Sequence, residues 1–257
     1  MVCPMCGQTV ARFADSHIVP DAMTKELRSS VKPLAVIQTR PQQNPWDQVR
    51  KNYGGMTARI VCADCERVQF QAADNYATPF WRSLPSSNSN FKLPTLADGL
   101  RSFRVRSYPA NAALVHRFAI QTLLRFHLAG DDDDAPFRLV RQHAEMLTKL
   151  LVSGEPTIQS PWFVAIFYYR SPLASTIFSP SLVKDLPALY SFMVPNVEIW
   201  VAEEASAVPE PLRVLALEED TDVWVSHQRR LPVGHKKMVH NIMAPHQHQI
   251  GKILRRP

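Results

Sequence analysis

Two Cys-x-x-Cys pairs, Cys3-Pro4-Met5-Cys6 and Cys62-Ala63-Asp64-Cys65, hold every cysteine of the 257-residue chain. No other feature restricts the fold as tightly. Each pair bends the backbone into a knuckle that offers two thiolates, and two knuckles complete the tetrahedral shell Zn²⁺ prefers. Gly7, directly after the first pair, suits the positive-φ turn such a knuckle needs. We therefore expect Cys3, Cys6, Cys62 and Cys65 to form a closed, structural zinc site. A redox pair or two disulfides are the alternatives. A redox Cys-x-x-Cys belongs beside a βαβ pattern, of which the sequence shows no sign. Disulfides need an oxidising compartment, and no signal peptide precedes Cys3, so a cytoplasmic location is expected.

The formal net charge of +6 conceals a sharper distribution. Residues 1–110 carry 14 Lys/Arg against 8 Asp/Glu, whereas residues 111–225 carry 8 against 15. From Ser226 to Pro257 there are 7 basic residues and no acid. Basic segments at both ends make a polyanion the expected partner, against the plainer reading that the charge only aids solubility. A membrane is not expected. The longest apolar run, Trp162 to Tyr169, falls far short of the ~20 residues a spanning helix needs. Proline is abundant (21) and glycine scarce (8), which favours rigid connections over long flexible linkers.

Three regions are expected: a zinc-binding module over residues 1–82, an α+β domain over 95–226, and a basic, His-rich tail over 227–257. In the first, Thr9 to Phe13 reads as a short strand leading to His17. Asp21 reads as the N-cap of a helix over Ala22 to Ser30. Pro33 to Pro45 reads as loop, and Ala58 to Val61 as a second strand. A helix from Glu66 to Tyr76 should end at Thr78-Pro79. The polar stretch Ser83 to Pro94 is the candidate boundary.

Beyond it, Pro109 to Ala129 carries the clearest helical period, closed by Gly130. The acidic run Asp131 to Asp134 suits the start of a second helix, Pro136 to Val152, better than a metal site. Trp162–Tyr169, Ala188–Val194, Val197–Ala202, Arg213–Leu217 and Asp222–Ser226 read as strands of a small antiparallel sheet, with a turn at Pro195-Asn196. The tail holds five of the nine histidines, His227, His235, His240, His246 and His248. His246 and His248 could chelate a metal, but a partner-ordered basic tail fits that composition better.

Between the cysteine pairs lie Ser16-His17-Ile18-Val19-Pro20 and Gly54-Gly55, and Glu66 follows the last cysteine. This layout resembles the HNH endonucleases, and more closely the zinc-containing HNH-like proteins of bacteria and phages. The resemblance covers about residues 1–80. It implies a zinc-stapled ββα-metal finger, so that the whole chain would be an α+β protein: the finger, a helical segment and a small antiparallel sheet. It also implies that His17 is the general base activating water for attack on a phosphodiester, beside a catalytic Mg²⁺ or Mn²⁺. The family's acidic or His position before this base is Ser16 here. Its central Asn falls near Thr57, and its closing His falls at Glu66, an oxygen ligand suited to Mg²⁺. One catalytic position is kept and three are replaced or displaced.

Two functions follow. One is a metal-dependent endonuclease with His17 as base and Glu66, with Asp15 or Asp74, as metal ligands. In it Arg59, Arg67, Lys236 and Lys237 contact nucleic acid, with DNA favoured over RNA, and Trp81 and Tyr53 are candidates to meet bases. The other is a non-catalytic adaptor whose zinc module binds nucleic acid or a protein, for example in phage–host conflict. For His17 alone, a hydrogen bond that fixes the turn before Pro20 is the plainer role. If His17 and Glu66 converge on an open, solvent-reachable place, the enzyme is favoured.

Overall fold

Ala112–Leu128 (helix α2) has 12 buried residues among its 17, spread around its circumference, so it must lie at the centre of the molecule. Asn111 caps it by accepting a hydrogen bond from the Leu114 amide, and Ala129 ends it. The computed structural model describes residues 1–24, 35–37, 49–51, 57–84, 104–129, 137–170, 177–183, 186–218 and 222–228. Gly54-Gly55, Tyr53, the stretch 85–94, Gly130 to Asp134 and the chain after Gln228, with Lys236 and Lys237, lie outside the described residues.

The architecture is mixed α+β, with an eight-stranded sheet and a separate two-stranded one. The small sheet pairs β1 (Asp15–His17) antiparallel with β4 (Thr57–Arg59), which sets Thr57 directly opposite His17. The large sheet holds β2 (Ala35–Ile37), β3 (Val49–Lys51), β5 (Arg104–Tyr108), β6 (Phe163–Tyr169), β7 (Ile177–Val183), β8 (Leu186–Val194), β9 (Val197–Ala202) and β10 (Val223–Gln228). Their order is β3-β2-β7-β8-β9-β6-β10-β5, antiparallel except for β2–β7 and β6–β10.

Strand β6 is buried along its whole length and shows how the layers meet. Val164, Ile166 and Tyr168 face the core shared with α2, α3 (Arg141–Val152) and α1 (Gln71–Ser83). Phe163, Ala165, Phe167 and Tyr169 face a second apolar layer with Val208, Leu212 and Leu215. Buried in that second layer, Glu198 accepts hydrogen bonds from Tyr169, Ser191 and Trp200, three neutral donors that satisfy its carboxylate.

Several sequence expectations need correction. The first strand is Asp15–His17, not Thr9 to Phe13, because Thr9 instead closes a bridge to Val2 around the first knuckle. Asp21 is the first residue of the helical segment rather than its cap, and Met23 N–H donates to the Pro20 carbonyl; residues 25–30 of the expected helix lie outside the described residues. Part of the expected loop after Pro33 is strand β2, paired with β7. Helix α1 runs through Pro79 to Ser83, since Phe80, Trp81 and Leu84 anchor its last turn in the core. Trp81 packs on Phe80 and Phe118 there and presents no face to a base. Arg213 to Leu217 forms no strand; Glu210–Leu215 is a 3₁₀ helix entered through prolines. The sheet is larger than expected and mixed rather than purely antiparallel, and His227 belongs to β10 rather than to a tail.

His116 on α2 is fully buried; its Nε2–H donates to the Trp162 carbonyl and Nδ1 accepts from Thr157 Oγ1. Burial, opposed by that carbonyl, lowers its pKa to about 4. The unfolded chain takes up this proton near its ordinary value of about 6.5. Stability is therefore intact above that pH and falls between it and about 4, by roughly 3 kcal/mol in total. Half-buried His227, also lowered to about 4 by burial and by Arg106 and Arg170, acts in the same window. Denaturant midpoints measured against pH should fall less steeply below pH ~6.5 for His116→Gln than for the wild type; equal slopes would refute the assignment.

Candidate metal centre and adjoining cleft

The first knuckle is a tight hairpin. Gly7, at φ 71°, donates its N–H to the Cys3 carbonyl, and the Cys3 N–H donates to the Gln8 carbonyl. The second begins a helical turn, Ala63–Cys65, for which Cys62 is the cap: its Sγ accepts from the Cys65 amide. The Cys62 amide in turn donates to Cys3 Sγ at 3.4 Å. Amides aimed at sulfur favour thiolates. On Cys3 they outweigh the opposing effect of burial and bring its pKa down to about 7.

All four Sγ atoms lie within 4.8 Å of one another and none is in a disulfide. Cys3 and Cys65 are 3.9 Å apart, and Cys6 and Cys62 3.8 Å. A tetrahedron with metal–sulfur bonds of about 2.3 Å has edges of about 3.8 Å, so the cluster can hold a metal ion such as zinc. It is the one group of three or more such ligating atoms among the described residues.

The chain does not pass from this turn into a regular α-helix. Glu66–Phe70 is π-helical, with the Gln71 amide donating to the Glu66 carbonyl. A π turn widens the ladder and frees carbonyls that need other donors. Helix α2 supplies them. Arg117 Nε donates to the Gln69 carbonyl at 3.2 Å, and Gln121 Nε2 to the Phe70 carbonyl at 3.1 Å. Arg117 Nη2 also reaches Gln69 Oε1 and the Leu151 carbonyl.

One turn further along α2, Arg125 is 0% exposed with its guanidinium 4.2 Å from the centre of the Phe70 ring. Nη2 donates to Glu66 Oε1 at 3.1 Å, and Nη1 contacts both Asp74 oxygens at 2.8 and 2.9 Å. Asp74 Oδ1 accepts from Gln121 as well. Burial, reinforced by the nearby Glu66 charge, nevertheless pushes the Asp74 pKa up against Arg125 and Gln121.

Beside this cluster opens a cleft of about 620 Å³. Ala14, His17, Pro20 and Asp21 form one wall, and Glu66, Arg67, Gln71, Asp74, Asn75 and Thr78 the other. His17 is 39% exposed, with Nε2 3.9 Å from Asp21 Oδ1. His17 and Glu66 thus meet on one open surface. Oε2 of Glu66 is buried without a hydrogen-bond partner among the described residues. Ser16 is buried away from solvent and does not line the cleft. Asp15 also lies outside it, exposed and paired with Arg59 at 2.9 Å. Arg67 lines the cleft and pairs with Asp64.

Sequence reasoning did not anticipate Arg117, Gln121 and Arg125. Their signal is present: three polar residues spaced by four on the most apolar helix of the chain. No family model, curated protein or solved structure matches this chain, so the reading of the cleft rests on its own geometry.

Proposed function

We propose that this protein acts on nucleic acid through the His17 cleft, as an HNH-like endonuclease whose strand–strand–helix module is stapled by zinc on Cys3, Cys6, Cys62 and Cys65. The observation that carries the reading is the meeting of His17 and Glu66 on one solvent-reachable cleft. The His17 imidazole accepts the proton of the attacking water, with Asp21 Oδ1 3.9 Å from its Nε2. Arg67 on the cleft wall and Arg59 on the neighbouring strand are the phosphate contacts within the described residues.

Charge explains the need for a further cation. Asp21, Glu66 and Asp74 outnumber Arg67 and Arg125 in and under the cleft, so an incoming phosphodiester is repelled by the walls alone. Asp74 and Glu66 Oε1 are occupied by Arg125 and Glu66 Oε2 is buried, so a hard divalent ion at Glu66 would require the carboxylate to turn toward the cleft. Bound there, Mg²⁺ or Mn²⁺ supplies charge stabilisation at the scissile phosphate and the leaving oxygen.

His17→Ala should lower divalent-metal-dependent nicking by roughly 10²–10⁴-fold while zinc content, folding and substrate binding persist. Equal cleavage by wild type and variant would place the chemistry elsewhere. A wild-type protein that cleaves neither single- nor double-stranded substrate with any divalent metal would favour the second reading, a non-catalytic adaptor. One observation supports that reading: the carboxylates under the cleft are already engaged by a buried arginine.

A further inference from the structure

The geometry points to the α1 wall of the cleft as a base-reading surface: Gln71 and Asn75 receive one unpaired nucleobase that bears an exocyclic amino group, adenine above all. This rests on the proposed function only in taking nucleic acid as the ligand. It needs no cation in the cleft.

Gln71, Asn75 and Pro79 follow one another at intervals of four, so they form one stripe along α1. All three are exposed, and all three line the cleft. The carboxylates of the same wall are engaged from the buried side, where Arg125 contacts Glu66 Oε1 and both Asp74 oxygens. The side chains of Gln71 and Asn75 make no hydrogen bond among the described residues. Each amide sets a donor beside an acceptor, the pattern that meets adenine in two hydrogen bonds. Pro79 adds to this. It has no N–H, so the Asn75 carbonyl loses its partner in the helical ladder, which leaves a further acceptor beside the Asn75 amide. Its ring, with Ala22 on the other side of the cleft, offers apolar surface to the faces of a base.

Charge and size narrow the ligand. Asp21, Glu66 and Asp74 outnumber Arg67 and Arg125, a field that repels phosphate and attracts amino protons. A base therefore enters by its amino edge, while its phosphates stay outward with the exposed Arg67. At about 620 Å³ the cleft has the size of a small-molecule site, so it admits one nucleotide and not a duplex. The base must come from a single strand or leave its stack.

A merely solvated helix face would carry the same amides but would make no choice between bases. Fluorescence anisotropy on the full-length, zinc-loaded protein, without other divalent metal, reads that choice. Oligo(dT) carrying a single dA should bind about 5–150-fold more tightly than oligo(dT) alone, the range for one bidentate amide–base pair. The double variant Gln71→Ala, Asn75→Ala should bind both strands as the wild type binds oligo(dT), with zinc content and circular dichroism unchanged. Equal binding of the two strands by the wild type, or a preference that survives in the double variant, would overturn the inference. Cleavage without base preference would do so while leaving the endonuclease reading standing. A preference lost in the double variant of a protein that cleaves nothing would keep the reading surface and remove the catalysis.

Discussion

Cys62→Ser should release the metal and unfold the module around β1, β4 and the start of α1. Cys62 does three things at once. It offers a sulfur ligand to the cluster, caps the helical turn through Sγ, and donates its amide to Cys3 Sγ. Serine preserves the cap in part but lacks the soft donor a thiolate site requires. Structural zinc in small fingers contributes ~10–16 kcal/mol of apparent binding free energy, more than a typical domain's whole stability. The apolar residues around the cluster, Met5, Ile18, Val19, Ile60 and Val61, belong to the main core, so the damage should spread beyond the knuckles. Elemental analysis of protein purified without chelator should find zinc in the wild type and none in Cys62→Ser, with loss of near-ultraviolet circular dichroism. Zinc-free wild-type protein that is fully folded would defeat the prediction.

Arg125→Met should be the most damaging single change among the buried polar residues. Methionine can still cover the Phe70 ring, so the loss is chiefly electrostatic. Glu66 Oε1 and Asp74 would then share a buried place without a cation, and removing one partner of a buried pair costs about 3–5 kcal/mol. Two consequences separate this from a packing defect. Adding Glu66→Gln and Asp74→Asn should recover much of the loss, because a neutral cluster no longer needs the guanidinium. Acidification should shrink the difference from wild type as well, since Asp74, already pushed up by burial, takes a proton first. Denaturant midpoints at several pH values test both. A cost within about 0.5 kcal/mol, the range of an ordinary surface change, would contradict the electrostatic account.

How much of this was legible in the sequence depended on the range of each signal. The cysteine frame was legible because metal coordination fixes spacing directly. Helix α2 and the β8–β9 hairpin, with Asn196 at φ 64°, were legible because period and turn chemistry are local. Strands β2 and β3 were not: each has three residues, too few to show alternation, and β2 exists through its pairing with distant β7. Strand β7 itself contains Pro180, which reads as a breaker; the register shift between Phe178 and Ser181 shows that the proline lies in a bulge. The π turn left no local mark, because the donors that relieve its free carbonyls come from α2. Of the cleft, His17 and Glu66 were singled out only through the resemblance of the cysteine frame to HNH-like proteins, whereas the arginine beneath them was hidden by more than fifty intervening residues.

The position of β2 and β3 between the two cysteine pairs has a consequence for how the chain folds. Both strands lie inside the loop closed when Cys6 and Cys62 bind one ion, and they form one edge of the large sheet. Closing a long loop costs entropy once, and each doubling of its length adds only ~0.6 kcal/mol. Pairing of β2 with β3 ties Ala35 to Lys51 inside that loop and so shortens the free chain an ion must close, and closure by an ion favours the hairpin in return. The two events draw on the same closure. A chain that reaches the sheet without its metal would leave β7 unpaired on that side, a row of bare amides and carbonyls open to strands of other molecules. With no ion on the four cysteines, loss of that hairpin would be felt first as aggregation along the sheet edge that β2 covers.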